Sequence, residues 1–129
     1  MKVLVFGTFD RLHKGHRFLL TEASKRGALH VVVARDQNVL RIKGRLPEQN
    51  EETRKNALAR EFPQASVLLG DPEDFLVPVR SLKPDLIILG YDQELPPQVR
   101  MEDLHTAVER LPPFEPETYK SSLRRGQQQ

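Results

Sequence analysis

Two histidines separated by two residues give this sequence its strongest chemical signal. His13 and His16 flank Gly15 and follow the segment Gly7–Asp10, which reads Gly-Thr-Phe-Asp. A strand-like run precedes that segment and a helix-like pattern follows it, so both imidazoles are expected at the start of a helix, on one face. Free N–H groups and the helix dipole favour an anion there, and glycine lets the backbone approach a phosphate group closely. The pattern therefore indicates a phosphate site.

Several other kinds of site lack their sequence signals. His30 and His105 stand at no spacing that would add a third metal ligand to the pair. The chain has no cysteine, no GxxxxGK[ST] phosphate loop, no GxGxxG fingerprint and no GxSxG nucleophile motif. A lone histidine pair at this spacing is also typical of a surface or structural pair, so that alternative stays open on spacing alone.

Composition predicts one folded domain over residues 1–129. Hydrophobic residues make up 38% and charged residues 29%, and the mean hydropathy is −0.52. The longest apolar runs have four residues, and no charged-then-apolar leader follows Met1, so we expect a cytoplasmic protein without a membrane span.

Twenty Lys and Arg against eighteen Asp and Glu give a net charge of +2, spread along the chain. This favours a small anionic ligand over nucleic acid.

Strand-like and helix-like segments alternate along the chain. Strands are predicted over 2–6, 29–34, 65–69 and 85–89, with a short fifth strand over 114–117. Helices are predicted over 14–26, 47–62, 71–82 and 96–110. This alternation predicts an α/β domain with one doubly wound parallel sheet of about five strands between two layers of helices. Ligands of such sheets bind beyond the carboxyl ends of the strands, where the histidines lie.

The segment from Gly7 to His16 resembles the HxGH nucleotidyltransferase superfamily, whose members are cytidylyltransferase-like. Further segments fit the superfamily in order: 34–36 (Ala-Arg-Asp), 43–45 (Lys-Gly-Arg), 52–54 (Glu-x-Arg), 90–93 (Gly-Tyr-Asp-Gln) and 119–125 (Tyr-Lys-Ser-Ser-Leu-Arg-Arg). The combination is most similar to archaeal-type FAD synthases. The closing segment departs from the superfamily pattern at Lys120, which stands where that pattern has its first serine.

The resemblance implies an enzyme that transfers a nucleoside monophosphate from ATP or CTP to a phosphate-bearing acceptor and releases pyrophosphate. FMN with ATP is the favoured pair of substrates. One alternative is a CTP-dependent enzyme acting on a small alcohol phosphate such as glycerol phosphate, and another is a nucleotide-binding module without turnover. Mg²⁺ or another divalent cation is expected with the triphosphate, without a protein metal site. A homodimer is expected as well.

The resemblance also implies roles for individual residues. Those expected to act in catalysis are His13, His16 and Lys43. Those expected to bind the nucleotide are Gly7, Thr8, Phe9, Gly15, Gly90 and Asp92, with Ser121, Ser122 and Arg125 in a short C-terminal segment over 118–129. Those expected to bind the acceptor are Asp10, Asp36, Arg45 and Arg54. The imidazoles would donate hydrogen bonds to the α- and β-phosphates in the transition state.

Some of these residues have a structural alternative. Lys43 and Arg45 are also typical of a solvated basic loop, Arg54 of a surface ion pair, and Asp92 of a cap at the end of a strand. Asp10 is expected to stiffen its loop rather than to react. A flavin ring would also need an apolar or aromatic slot. The aromatic residues expected to be available for it are Phe9, Tyr91, Phe114 and Tyr119.

Overall fold

The computed structural model describes residues 1–114, and residues 115–129 lie outside the description. The five strands are β1 (Lys2–Gly7), β2 (Ala28–Val33), β3 (Ser66–Leu69), β4 (Leu86–Leu89) and β5 (Ala107–Arg110). The four α-helices of the described part are α1 (Lys14–Ser24), α2 (Asp36–Lys43), α3 (Glu51–Glu61) and α4 (Val77–Leu82), and one 3₁₀ helix covers Met101–Leu104. None of the described helices has the length and apolar character needed to cross a membrane.

The strands form one parallel sheet in the order β3-β2-β1-β4-β5. From β1 the chain builds outward through β2 to β3, then returns to the other side of β1 and continues through β4 to β5. The order therefore reverses at β1, which is where sheets of this type leave a crevice at the carboxyl ends of the strands. The predicted doubly wound α/β sheet is confirmed.

Both faces of the central strands β1, β2 and β4 are mostly buried, as their apolar runs predict. Successive side chains of β1 alternate between the two faces. Val3 and Val5 belong to a cluster on one face with Leu20 of α1 and Leu58 of α3. On the opposite face, the partners of β1 include a residue of α4, Val79. The two apolar layers hold the carboxyl end of β1 in a fixed position between helices.

The predicted helix over 96–110 is wrong. A loop follows Pro96 and leads to the 3₁₀ helix and to β5. Pro96 and Pro97 supply no amide donors, and Gln98 and His105 have φ angles of 71° and 53°, so a continuous helix cannot form. The fifth strand of the described sheet is β5; of the predicted strand over 114–117, Phe114 is outside any strand and residues 115–117 lie outside the described residues.

Helix α2 occupies a segment for which the sequence pattern predicts no helix. It places a single residue, Val39, in the core, so the apolar periodicity that predicts a helix is weak. Its end is well marked, because Gly44 has φ of 81° and donates its N–H to Leu40 O at 2.8 Å. That left-handed glycine ends the helix and sends the chain toward Arg45.

Two other helices start later than predicted, since side chains cap the preceding loops. Asn50 Oδ1 accepts from Thr53 N at 2.8 Å, so α3 begins at Glu51 rather than near residue 47. Asp71 Oδ2 accepts from Asp74 N at 2.8 Å and keeps the segment before α4 in a turn. The predicted helix over 71–82 is thus confined to Val77–Leu82.

Candidate active site

The two histidines of the motif form the start of α1. His13 is the N-cap, and its Nδ1 accepts from Gly15 N at 3.1 Å and His16 N at 3.4 Å. In return, His16 Nδ1 accepts from His13 N at 3.4 Å, and the two rings stack with centroids 3.7 Å apart. Because each Nδ1 is an acceptor, each neutral ring carries its proton on Nε2. The capping arrangement thus fixes both tautomers and leaves two Nε2–H donors for a ligand.

Close packing around these rings explains the glycines of the motif. A Cβ atom at Gly15 would lie 3.0 Å from Cε1 of His13, and one at Gly7 would lie 3.1 Å from Cε2 of Phe9. Phe9 itself is 3% exposed, has φ of 55° and meets the His16 ring edge-on. The phenyl ring therefore supports His16 from the core side and leaves the backbone of this loop facing the cleft.

The surroundings of His16 keep its imidazole neutral. Burial lowers its pKa to about 4, and the positive charges of Arg17 and Lys43 and the neighbouring His13 act in the same direction. At neutral pH the ring is then uncharged and its Nε2–H is a neutral hydrogen-bond donor. Such a donor can stabilise an anionic transition state without a proton being transferred.

The lowered pKa predicts that His16 makes the fold less stable in acid. The pKa is about 4 in the folded protein against an ordinary value of 6.5, so between these pH values the unfolded chain binds more protons. The contribution of neutral His16 to the free energy of unfolding is complete above pH 6.5 and is lost as the pH falls toward 4. Each pKa unit corresponds to about 1.4 kcal/mol, so the loss has an upper bound of about 3.5 kcal/mol, and solvent around the half-buried ring makes it smaller.

Urea unfolding at pH 7 and at pH 4.5 measures this effect, and His16→Gln is the matched variant without a titrating group. We expect the wild type to lose more unfolding free energy than the variant between the two pH values. An equal loss in both proteins would show that His16 is not held neutral by the fold.

Lys43 lies at the end of α2 and reaches the loop that follows β1. Its Nζ is 3.5 Å from Thr8 Oγ1, directly after β1. Arg45 follows the left-handed turn at Gly44 and also lines the cleft. The structure therefore brings the two predicted cations to the side of the cleft that Thr8 borders, rather than placing them on a remote solvated loop.

The side chain of Arg54, which is predicted to bind the acceptor, is held by the protein itself. Its side chain is fully buried. Nη1 donates to Thr8 O and Ala34 O at 2.8 Å each, and Nε donates to Gln49 O at 2.9 Å. Nη2 donates to Asp36 Oδ1 at 2.6 Å. One guanidinium thus joins the loops after β1 and β2 to the segment before α3, which is a positioning role.

Two predicted acceptor carboxylates are also engaged by the protein itself. Asp10 accepts from Glu48 N at 2.8 Å and Gln49 N at 2.9 Å. Burial raises the pKa of Asp10, but these backbone hydrogen bonds and nearby arginines outweigh it and the pKa is lowered. Asp36 accepts from Glu51 N at 3.2 Å in addition to Arg54. Asp10 therefore stiffens its loop, as expected, and Asp36 completes the Arg54 network.

The opposite side of the cleft is built from the loop after β4. Gln93 Nε2 donates to Phe6 O at 2.7 Å, and its Oε1 accepts from Gly90 N at 3.0 Å. Arg110 Nη1 donates to Gly90 O at 2.9 Å and Gln93 O at 2.7 Å. These two residues fix the loop that presents Asp92, which is exposed in the cleft. No local sequence signal predicts these roles of Gln93 and Arg110, although Gln93 belongs to the motif at 90–93.

An open cleft of about 2000 Å³ lies between the two sides. The predicted site residues that line it are Gly7, Thr8, Phe9, Asp10, His13, Gly15, His16, Lys43, Arg45, Gly90 and Asp92. Arg54 and Asp36 are not among its lining residues. Ser121, Ser122 and Arg125 lie outside the described residues. Sites for one small ligand usually measure about 300–1000 Å³, so this cleft has room for two substrates.

The chain is similar to archaeal proteins named FAD synthase. An FAD synthase of Natronomonas pharaonis is 46% identical over 93 residues, which cover 71% of this chain and 65% of that protein. An FAD synthase of Archaeoglobus profundus is 40% identical over 130 residues, covering 96% of this chain and 83% of that protein. The alignment with the Natronomonas protein thus spans just under two thirds of the relative's length.

A structural comparison and a family model also match this chain. A crystal structure of a lipopolysaccharide core biosynthesis protein from Thermoplasma volcanium superposes with a TM-score of 0.78 at 32% identity, covering 89% of this chain and 98% of that one. The family model described as "Cytidylyltransferase-like" matches residues 4–122. That match includes both histidines and the strand ends on either side of the cleft, and the chain belongs to the cytidylyltransferase-like family of nucleotidyltransferases.

Proposed function

We propose that this protein transfers the AMP moiety of ATP to the phosphate of FMN, which forms FAD and releases pyrophosphate. The observation that carries the proposal is the pair of stacked imidazoles, whose Nε2–H donors stand beside a cleft with room for two substrates. The names of the archaeal relatives, FAD synthase, support the choice of ATP and FMN.

The chemistry suits the side chains at the site. An oxygen of the FMN phosphate attacks the α-phosphorus of ATP, a new P–O bond forms, and the bond from the α-phosphorus to the bridging oxygen breaks. A phosphate monoester has its second pKa near 6, so this nucleophile needs no general base at neutral pH. Catalysis then requires alignment and neutralisation of charge on the phosphoryl oxygens. In the proposal, His13 and His16 donate to the α- and β-phosphates.

Lys43, at the end of α2, and Arg45, just beyond it, are proposed to bind the phosphate groups that the histidines do not contact. Lys43 lies beside Thr8, and together with Arg45 it would bind the acceptor phosphate or the departing pyrophosphate. Charge-assisted hydrogen bonds to phosphate are stronger than neutral ones, so these cations favour a phosphate-bearing acceptor over a plain alcohol. Ser121, Ser122 and Arg125, beyond the described residues, are proposed to bind the β- and γ-phosphates.

A divalent cation is part of the proposal. When bound with the nucleotide, a Mg²⁺ ion would lower the negative charge that the acceptor phosphate must approach. Among residues 1–114, His, Asp and Glu side chains form no group of three suited to hold a metal ion. A cation held mainly by the nucleotide is compatible with that arrangement.

We further propose a cytoplasmic homodimer without a nucleic-acid or membrane partner.

A panel of substrates tests the proposed reaction. We expect pyrophosphate release with ATP and FMN, and much less with glycerol phosphate, ethanolamine phosphate or pantetheine phosphate. Asp92 is proposed to accept from the exocyclic amino group of the base, which adenine and cytosine present alike and guanine does not. GTP is therefore expected to be a poor substrate.

Three results of the same panel would contradict parts of this proposal. Release with CTP and glycerol phosphate but not with FMN would identify a cytidylyltransferase. Tight ATP binding without release with any acceptor would identify a nucleotide-binding module. Equal use of GTP and ATP would remove Asp92 from base selection.

A further inference from the structure

Two large aliphatic side chains are exposed inside the cleft. Ile42 is 47% exposed and Leu46 is 54% exposed, and both line the cleft at and just beyond the end of α2. Leu40, on the same helix, is 38% exposed but does not line the cleft. Exposed aliphatic groups beside a catalytic centre lose contact with water when a ligand covers them, so they can contribute binding energy.

Cationic side chains alternate with these aliphatic ones. The segment 41–46, here called the α2 edge, reads Arg-Ile-Lys-Gly-Arg-Leu, and every residue except Gly44 lines the cleft. Lys43 Nζ is 3.5 Å from Thr8 Oγ1, so the cationic side chains of this segment lie next to the loop that follows β1. The α2 edge therefore offers one ligand both anion-binding groups and apolar surface.

The aromatic residues predicted to hold a flavin ring are mostly engaged elsewhere. Phe9 is 3% exposed against His16, and Phe114 packs against Phe18 with ring centroids 5.3 Å apart. Tyr91 is 54% exposed but adjoins Asp92, on the opposite side of the cleft from α2. Tyr119 lies outside the described residues. The apolar surface next to Lys43 and Arg45 is thus aliphatic.

We infer that Ile42 and Leu46 contact the dimethylbenzene part of the FMN ring and determine the choice of acceptor. The inference rests on the proposed function. FMN joins a phosphate to a large planar ring, and the α2 edge carries the complementary groups for both. Glycerol phosphate has no ring and would leave the two aliphatic side chains in water. These residues select a flavin phosphate over small alcohol phosphates.

Flavin binding to the full-length protein tests this inference without turnover. Quenching of flavin fluorescence gives the dissociation constants of FMN and of riboflavin, which has the ring but no phosphate. Ile42→Ser and Leu46→Ser are each expected to weaken both ligands about tenfold, as loss of a partly buried aliphatic contact does. Lys43→Ala is expected to weaken FMN but not riboflavin. Leu40→Ser is the matched control and should change neither constant.

The outcomes separate this inference from the proposed function. Unchanged flavin affinities in Ile42→Ser and Leu46→Ser would overturn the inference, while FAD formation by the wild type would still stand. A lower melting temperature with unchanged flavin affinity would show that another part of the chain covers these side chains, which also overturns it. If wild-type protein binds glycerol phosphate tightly and neither flavin, both the inference and the proposed function are wrong.

Discussion

Replacing His16 by alanine is expected to lower kcat by about 10²–10³-fold, the usual effect of losing one preorganised donor in the transition state. The KM values for ATP and FMN should change much less, because the neutral Nε2–H is proposed to act on charge that develops during the reaction. Initial rates of pyrophosphate release at saturating substrate measure the effect.

A second variant at position 16 distinguishes hydrogen-bond donation by His16 from proton transfer by His16. His16→Gln keeps a side-chain N–H group, so we expect it to recover part of the turnover lost in His16→Ala. The wild-type pH profile should show an acid limb near pH 6 from the acceptor phosphate and none from His16, whose pKa is about 4. Near-normal turnover of His16→Ala would remove this histidine from the mechanism.

Replacing Arg54 by methionine is expected to lower the free energy of unfolding by about 3–5 kcal/mol, the cost of removing one partner from a buried ion pair. The change leaves Asp36 without its 2.6 Å partner and the carbonyls of Thr8, Ala34 and Gln49 without their donors. Arg54→Lys keeps the charge but cannot reach four acceptors, so a smaller loss is expected. Urea unfolding measures both.

Arg60 provides the control on the same helix. It is exposed, so Arg60→Met should change stability by less than about 0.5 kcal/mol. If Arg54→Met instead raised the KM for FMN while leaving stability unchanged, Arg54 would contact the acceptor directly, as the sequence analysis predicted.

The site after β1 was predictable because its signals are local. His13 caps the helix that it begins, and the glycines are set by rings two residues away. The strands β1, β2 and β4 were likewise predictable, since they are mostly buried and their runs are largely apolar. Residue spacing was therefore sufficient to predict the capped loop after β1 and the central strands.

The supporting network was not predictable, because it depends on contacts distant in sequence. An arginine beside Glu51 and Glu52 is typical of a surface ion pair, yet Arg54 contacts Thr8, 46 residues away. β5 has only four residues with a mixed apolar and polar pattern, so its pairing with β4 has no clear local signal. The helix predicted over 96–110 was wrong because β5, which lies there, is defined by its pairing with β4.

Isotopic labelling of ATP tests the central claim most directly. Wild-type protein is incubated with FMN, Mg²⁺ and ATP labelled at the α- or at the γ-phosphorus, and the products are separated by chromatography. The account predicts that α-label appears in FAD and γ-label in pyrophosphate, in equal amounts. Failure of the α-label to enter any flavin product, or its transfer from CTP to a small alcohol phosphate instead, would contradict the proposed reaction.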